Sequence, residues 1–300
     1  MENEQSSRYR LNDNMKPVLS ILLPAHQASK TIGLAVLSTL AFKPKSSELL
    51  IFLDGAGTKS KVLSWVSARQ DVKVFSSEKK IGISGALNAL ILNSEGGVVA
   101  RMDADDISLP GRFLKGMQLV NAGSEDFVFT NIILFGSRVK PFGFLPHLPI
   151  GVDNEQARWL LWLGNPFAHP TMIARKSAIE SLGGYRNSIS EDYDLWVRAA
   201  AAGFKLRRLR RHGLLYRIHP GQHTQQKNFG PLVKSDPLLR EARRALELEL
   251  NDGRSDSDEE ELNLKASTYL MRSRIGLATQ MKFSNWRRKN LRPEKAGERN

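Results

Sequence analysis

The sequence contains no cysteine and has no long apolar run. Without cysteine, neither a disulfide framework nor a thiolate zinc site can be built. No stretch reaches the roughly 18 consecutive apolar residues that a membrane-spanning helix needs. The first residues, Met1–Arg8, are polar and lack the apolar segment of a signal peptide. These absences favour a globular protein in a reducing compartment, and we expect a cytoplasmic location.

Negative charge is scarce: 31 Asp and Glu stand against 44 Lys and Arg, for a formal net charge of +13. The basic excess is concentrated in Lys205–Arg211 and Arg272–Arg299, and an acidic segment, Asp256–Glu261, separates them. Such an excess indicates an anionic partner, namely nucleic acid, lipid headgroups or phosphorylated substrates. A solvated face or a disordered tail would produce the same pattern, so both interpretations stay open.

Apolar runs alternate with segments of helical spacing through the first hundred residues. This pattern predicts strands at 18–23, 49–53, 72–75 and 98–102, and helices at 29–41, 61–68 and 82–92. The alternation is typical of βαβ units, so the predicted fold class is α/β with a mainly parallel sheet flanked by helices. Further on we predict a strand at 127–135, helices at 154–163 and 191–202, and amphipathic helices from 236 onward.

Polar residues follow the ends of four consecutive predicted strands. They are Gln27, Asp54, the pair Lys79 and Lys80, and the acidic run 103–106. Open parallel sheets bind their ligands beyond the carboxyl ends of the strands. We therefore expect a ligand site along this edge of the sheet.

Two acidic segments are candidates for chemistry. Asp103 and Asp105 follow a buried strand and can share one cation, because Mg²⁺ and Mn²⁺ are held by such carboxylates together with phosphate oxygens. The alternative is an acidic loop that caps the next helix. The segment Ser190–Trp196 puts acids in the first turn of a helix, where capping is the default interpretation. His169 and His219 alone indicate little.

Several segments carry a resemblance through their order and spacing. They are Val18–Pro24, Gly82–Asn88, Ala100–Pro110 with Arg112 following, Asn165–Thr171, Leu182–Tyr185, Glu191–Arg198 and Tyr216–His219. In combination they resemble the family 2 inverting glycosyltransferases of the GT-A fold. The resemblance covers about residues 17–225, and its specific feature is the pairing of the DxD segment Asp103–Asp105 with Glu191–Asp192.

The resemblance implies a Rossmann-like GT-A domain at 17–225, with a nucleotide-sugar-binding half (17–120) and an acceptor-binding half (121–225). A flexible N-terminus (1–16) and a helical, basic C-terminal extension (226–300) would flank this domain. The implied enzyme transfers a hexose from a nucleotide-diphosphate sugar to a saccharide or lipid-linked acceptor in surface polysaccharide or lipopolysaccharide synthesis. With the net charge of +13, we expect peripheral contact with the anionic inner face of the cytoplasmic membrane and no nucleic-acid partner.

The resemblance also implies a role for each site residue. Asp192 would be the general base on the acceptor hydroxyl. Mn²⁺ or Mg²⁺ would be held by Asp103, Asp105 and His219, and would neutralise charge on the leaving diphosphate. The donor would be bound by Pro24, Ala25, Gln27, Asp54, Lys80 and Asp103. The acceptor would be bound by His169, Glu191 and Trp196.

Departures from the family pattern are confined to the expected nucleoside pocket. Leu53 precedes Asp54 where the family usually has a second aspartate, and Gln27 and Lys80 replace common asparagines. Base and sugar identity therefore stay open.

Two other functions fit the sequence less well. A sugar-nucleotide pyrophosphorylase would show a glycine-rich, basic loop after the first strand, and residues 24–27 have none. A nucleic-acid binder would leave the Asp103 and Asp192 segments unexplained, and no recognised nucleic-acid motif is visible.

Overall fold

A computed structural model describes residues 17–55, 61–136, 139, 144–148, 150–219, 229–251 and 259–273. The predicted flexible N-terminus (1–16) and the basic tail beyond residue 273 lie outside the described residues. No helix in the described ranges is both long enough and apolar enough to cross a membrane.

The first half of the chain follows the predicted alternation of strands and helices. Its elements are β1 (Leu19–Ala25), α1 (Ile32–Phe42), β2 (Ser47–Asp54), α2 (Lys61–Val66), β3 (Val72–Ser77), α3 (Gly82–Leu92) and β4 (Val98–Arg101). The strands pair in parallel in the order β3–β2–β1–β4. Because β1 and β4 are buried along their whole length, they consist almost entirely of apolar residues.

The second half continues the same sheet with mixed strand directions. Its elements up to the last strand are β5 (Ile107–Ser108), α4 (Leu114–Asn121), β6 (Phe127–Phe135), β7 (Phe144–Pro146), α5 (Asn154–Leu163), β8 (Ile173–Arg175), α6 (Lys176–Ser181), α7 (Glu191–Ala201) and β9 (Leu206–Arg217). Strand β8 lies antiparallel between β4 and β6, β9 runs parallel to β6, and β5 pairs with β9. The pairing of β5 with β9 brings the end of the chain's last strand back to the acidic segment.

Apolar side chains cover both faces of this sheet. One cluster includes Leu22, Phe127 and Phe129 and packs under α3, α5 and α7. The other includes Ile21, Val128 and Ile173 and packs under α1, α2 and α4. The two faces alternate along each strand, so the protein has the predicted α/β architecture with helices on both sides.

A helical C-terminal extension is present, as predicted. It contains α8 (Phe229–Ser235), α9 (Pro237–Leu250) and α10 (Glu259–Ser273). Leu239, Ala242 and Leu246 of α9 are buried in the same cluster as the residues of α7. The extension therefore completes the core on that face.

The basic run Lys205–Arg211 lies in and just before β9, where its larger part is engaged within the protein. Arg208 is buried and donates to the carbonyls of Ile150 and Pro166, while Arg207 pairs with Glu125. Lys205 and Arg210 stay exposed. The run is thus mainly a structural part of the sheet.

Candidate active site

The ends of the parallel strands meet at one edge, and the predicted donor residues lie along it. Pro24 and Ala25 are the last residues of β1 and are buried, whereas Gln27 is exposed in the following turn with a positive φ of 49°. Lys80 is exposed after β3. The predicted common edge therefore exists, with Lys80 and Gln27 open to solvent along it.

Asp54 holds two pieces of this edge together. Its Oδ1 accepts a hydrogen bond from the amide of Ile81 at 2.7 Å, and its Oδ2 accepts one from the amide of Gly82 at 3.0 Å. Its carbonyl oxygen lies 2.7 Å from Nδ1 of His26. Asp54 thereby fixes the start of α3 next to the turn after β1, so it shapes the predicted donor pocket.

Three carboxylates form a cluster after β4. Asp103, Asp105 and Asp106 each offer an oxygen within 4.8 Å of the others. Burial and the charge of Asp103 raise the pKa of Asp105, and burial with both neighbouring carboxylates raises the pKa of Asp106 well above its ordinary value. Burial is the largest cause of both shifts, and a divalent cation would relieve the repulsion that adds to it.

The end of β9 completes this cluster from the other side. Nε2 of His219 lies 3.0 Å from Oδ2 of Asp105, and the amide of Arg217 donates to Oδ1 of Asp106 at 2.8 Å. Neighbouring ligands of an octahedral ion with bonds of about 2.1 Å stand roughly 3 Å apart, so Asp105 and His219 fit one such ion. Oδ2 of Asp106 is buried without a hydrogen-bond partner among the described residues. The donor set therefore suits Mg²⁺ or Mn²⁺.

Arg101 is a site residue that sequence reasoning did not single out. Its Nε donates to Oδ1 of Asp103 at 2.7 Å from a buried position at the end of β4. Its carbonyl accepts from the buried guanidinium of Arg112. A signal was available, because a basic residue ends an otherwise apolar strand two positions before an acid.

Asp192 is the candidate base in the second acidic segment, at the start of α7. Its Oδ1 accepts hydrogen bonds from Oγ of Ser190 at 2.9 Å and from the amide of Tyr193 at 2.7 Å. Its Oδ2 accepts one from Nδ2 of Asn165 at 2.9 Å. Burial raises the pKa of Asp192 and the charge of Glu191 adds to the rise, whereas His169, the Ser190 hydroxyl and the Tyr193 amide oppose it. Asn165 and Ser190 are further residues that the sequence did not mark.

His169, Glu191 and Tyr185 form a chain beside Asp192. Nε2 of His169 lies 2.9 Å from the hydroxyl of Tyr185, and its Nδ1 lies 3.6 Å from Oε1 of Glu191. Burial alone would raise the pKa of Glu191, but His169 and Arg101 outweigh it and the pKa is lowered. Glu191 is therefore held as an anion next to His169.

The prediction for Trp196 needs correction. Its side chain is 0% exposed and packs edge-to-face on Phe129 and on His169, with ring centroids 4.9 Å and 5.6 Å apart. An acceptor cannot reach a ring that is buried in the core. Trp196 instead packs against the ring of His169 from the core. The sequence pattern alone could not show whether its side chain faces the core or the surface.

Tyr185 connects the two acidic centres. Burial raises the pKa of its hydroxyl; Arg101 opposes this, and the charges of Glu191, Asp192 and Asp103 add to it. The hydroxyl lies 2.9 Å from Nε2 of His169 and 3.7 Å from Sδ of Met172, whose carbonyl accepts from the amide of Arg101 at 3.0 Å. Tyr185 therefore lies between the end of β4, which leads to Asp103, and the contacts beside Glu191.

Helix α3 holds Tyr185 in place. The amide of Tyr185 donates to Oδ1 of Asn88 at 2.9 Å, and Nδ2 of Asn88 donates back to the carbonyl at 2.8 Å. Gly184 has a φ of 75°, and a Cβ there would stand only 2.6 Å from Oδ1 of Asn88. Glycine is required at this position on both counts.

Known proteins resemble the chain in sequence and in fold. The model of the family described as Glycosyl transferase family 2 matches residues 20–183. The O-antigen biosynthesis glycosyltransferase WbnJ of Escherichia coli is 30% identical over 186 residues, which cover 60% of this chain and 71% of WbnJ. A second E. coli protein, UDP-Gal:alpha-D-GlcNAc-diphosphoundecaprenol beta-1,3-galactosyltransferase, is 30% identical over 164 residues, covering 52% of this chain and 57% of that protein.

A solved structure shows the same fold at much lower identity. The crystal structure of S. aureus TarS 1-349 in complex with UDP-GlcNAc aligns with a TM-score of 0.59 and 16% identity. The alignment covers 83% of this chain and 69% of that chain. This likeness concerns the fold alone.

Proposed function

Because the chain belongs to glycosyl transferase family 2 and is a glycosyltransferase, we propose that it transfers a hexose from a nucleotide-diphosphate sugar by inverting displacement. The proposed acceptor is a saccharide or lipid-linked saccharide in surface polysaccharide or lipopolysaccharide synthesis. One observation carries the proposal. A carboxylate cluster suited to a cation follows β4, and a separate carboxylate suited to a base lies at the start of α7. Met172 links the two regions, because its carbonyl accepts from the amide of Arg101 and its Sδ contacts the hydroxyl of Tyr185 beside His169.

The donor half of the proposed site is the strand edge. Gln27 and Lys80, which are exposed, would contact the nucleotide, while the buried Pro24, Ala25 and Asp54 would shape the pocket around it. Asp103 would contact its nucleoside side. Asp103, Asp105 and His219 would hold Mn²⁺ or Mg²⁺, which when bound would neutralise charge on the leaving diphosphate. Support comes from the oxygen-rich cluster and from the 3.0 Å contact between Asp105 and His219.

Asp192 would take the proton of the acceptor hydroxyl. As that oxygen bonds to the anomeric carbon, the carbon–oxygen bond to the diphosphate breaks on the opposite side, so the configuration inverts. Oδ1 already accepts two hydrogen bonds and Oδ2 accepts one among the described residues, so Oδ2 has room for the acceptor hydroxyl. His169 and Glu191 would border the acceptor, and the raised pKa of Asp192 suits a general base.

The lipid-linked form of the acceptor is supported by one relative's name, which specifies a GlcNAc-diphosphoundecaprenol acceptor. Such an acceptor would be presented at a membrane surface. The net charge of +13 favours a peripheral position at the anionic inner face of the cytoplasmic membrane.

The first experiment is a thermal-shift panel of nucleotide sugars with Mn²⁺ or Mg²⁺. UDP-galactose and UDP-GlcNAc are the first probes, because a relative and a structural neighbour carry them in their names. We expect at least one nucleotide sugar to raise Tm in a metal-dependent way. A panel in which no donor shifts Tm with either metal would contradict the proposed donor site.

The second experiment separates the two halves with single substitutions. Asp192→Asn should abolish transfer while donor binding stays close to that of the unmodified protein. Asp105→Asn should instead weaken metal-dependent donor binding. Asp71→Asn is the matched control: Asp71 pairs with Arg69 and Lys43, Lys43 keeps its bonds to Ser47, and neither property should change. Near-normal turnover by Asp192→Asn would show that the base is elsewhere.

A further inference from the structure

The carboxylate that starts helix α9 also holds the segment that leads to Asp192. Oδ1 of Asp236 accepts from the amide of Leu238 at 2.9 Å, which caps the helix. Oδ2 accepts from Oγ of Ser188 at 2.6 Å and from the amide of Ile189 at 2.7 Å. One oxygen therefore serves α9, and the other serves the turn before α7.

Hydrogen bonds continue from this turn to Asp192. Oγ of Ser188 accepts from the amide of Ser190 at 3.3 Å, and Oγ of Ser190 donates to Oδ1 of Asp192 at 2.9 Å. Asp236 and Ser190 are only 5% and 8% exposed, so water competes little for these bonds. We call Asp236, Ser188, Ser190 and Asp192 the α9–α7 chain.

Helix α9 is anchored on α7 independently of this chain. Nη1 of Arg243 donates to the hydroxyl of Tyr193 at 2.9 Å and to the carbonyl of Trp162 at 2.7 Å. Leu246 is fully buried in the cluster that contains Tyr193. Asp236 is therefore held at a fixed place relative to α7, as a positioning group must be.

We propose that Asp236 is a positioning residue for the reaction: through Ser188 and Ser190 it fixes the orientation of the Asp192 carboxylate. Its carboxylate orders Ser188, Ser188 orders Ser190, and the hydroxyl of Ser190 occupies Oδ1 so that Oδ2 faces the acceptor. Helix capping alone does not account for Asp236, because capping uses Oδ1 and leaves Oδ2 to bind another segment. The inference rests on the proposed role of Asp192 as base.

Asp236→Asn separates capping from positioning. Asparagine caps helices as well as aspartate does, so its carbonyl can keep the bond to Leu238. Its amide group would then face the Ile189 amide, donor against donor, and the Ser188 hydroxyl would lose the oxygen to which it donates. Next to Asp192 in the α9–α7 chain, Ser190→Ala removes the hydroxyl that binds Asp192, and Ser190→Thr keeps a hydroxyl there.

The test measures kcat and KM for transfer from the donor found in the panel, and Kd for UDP with Mn²⁺. Asp236→Asn and Ser190→Ala should each lower kcat about tenfold or more, because small misplacements of a reacting group are costly. KM for the donor and Kd for UDP should stay close to the unmodified values. Ser190→Thr should keep most of kcat, because it keeps the hydroxyl. The double variant Asp236→Asn/Ser190→Ala should be no slower than Ser190→Ala alone, because both substitutions act through the hydrogen bond from Ser190 to Asp192.

Asp153→Asn is the matched control, since Asp153 also caps a helix, α5, through its side chain. It should leave kcat unchanged. Unchanged kcat in a folded Asp236→Asn or in Ser190→Ala, or equally low kcat in Ser190→Thr and Ser190→Ala, would overturn the inference. If Asp236→Asn does not fold, Ser188→Ala replaces it, because Ser188 joins Asp236 to Ser190, and unchanged kcat in Ser188→Ala would also overturn the inference.

The activity of Asp192→Asn distinguishes the positioning role of Asp236 from the proposed function of Asp192 as the base. If Asp192→Asn is inactive while Asp236→Asn and Ser190→Ala keep full kcat, only the positioning role fails. If Asp192→Asn turns over normally, or the unmodified protein transfers no sugar, the proposed function fails and the inference falls with it.

Discussion

Asp105 and Asp192 carry the same side chain in different surroundings. Asp105 lies between two other carboxylates, so its negative charge is opposed by its neighbours. Asp192 is surrounded by donors from Ser190, Tyr193 and Asn165. A cation would relieve the first environment, whereas in the second the donors stabilise the ionised carboxylate that a general base needs. This difference, more than the residue type, supports separate roles for the two groups.

The pH dependence of transfer follows from the environment of Asp192. A general base acts in its ionised form. An ordinary aspartate has a pKa of about 4, and burial raises the pKa of Asp192 above that value. The rate should therefore fall, as pH is lowered, at a higher pH than an exposed aspartate would give. Asn165→Ala removes a donor that favours the ionised form, so the acid limb of the kcat–pH profile should move to higher pH.

Asn93→Ala is the control for this profile, because the Asn93 side-chain amide donates to the carbonyl of Ala89 at the end of α3, away from Asp192. It should leave the acid limb where it is. An acid limb that stays fixed or moves to lower pH in Asn165→Ala would mean that the Asn165 amide does not stabilise ionised Asp192.

At the scale of elements, the sequence predicts those with strong local signals. The predicted bounds of α3, β6 and α5 coincide with those of the structure. Helix α5 begins with a capping box formed by Asp153 and Gln156, and its apolar positions recur with helical spacing. These features lie within a few residues of one another, so they can be interpreted without knowing the fold.

Contacts between distant elements could not be predicted in this way. Strand β8 has three residues, and its place between β4 and β6 depends on partners far along the chain. The bond from Ser188 to Asp236 joins residues 48 positions apart, and no periodicity encodes it. For the same reason the sequence identified Asp192 but not Asn165, which lies 27 positions before it. Ser190 is local, but a serine at a helix N-cap ordinarily binds a backbone amide of the helix, so its bond to Asp192 could not be predicted.

Helix α9 offers an element-scale prediction, because it carries a buried and an exposed leucine two residues apart. Leu246 is 0% exposed and Leu248 is 39% exposed. Leu246→Ala should lower the free energy of unfolding by about 2–5 kcal/mol, whereas Leu248→Ala should change it by less than about 1 kcal/mol. Urea denaturation followed by tryptophan fluorescence measures both. Equal effects of the two substitutions would mean that α9 is not part of the core.

At the scale of the whole molecule, the basic segments differ in how many of their charges are already engaged within the protein. Within Lys205–Arg211, the side chains of Arg207 and Arg208 are engaged in the sheet. The last 27 residues, 274–300, contain eight Lys and Arg and two Glu. We therefore expect this terminal segment to supply more of the attraction to an anionic surface than the run in β9.

Vesicle flotation tests this expectation with two charge-reversal variants. The first replaces Arg287, Arg288 and Lys289 by Glu in the terminal segment, and the control replaces Lys205 and Arg210 by Glu. Each basic residue near an anionic bilayer contributes about 1 kcal/mol, so the first variant should bind phosphatidylglycerol vesicles at least about a hundredfold more weakly. The control should lose less per charge reversed.

Pure phosphatidylcholine vesicles set the baseline for both variants, since they carry no net charge. Binding of the unmodified protein to phosphatidylglycerol vesicles should weaken as salt is added, because the Debye length shortens. Equal binding of the unmodified protein to both vesicle types would contradict an electrostatic contact. A larger loss per charge in the Lys205 and Arg210 variant would instead place the contact near the start of β9, at the opposite end of the strand from Arg217 and the following His219.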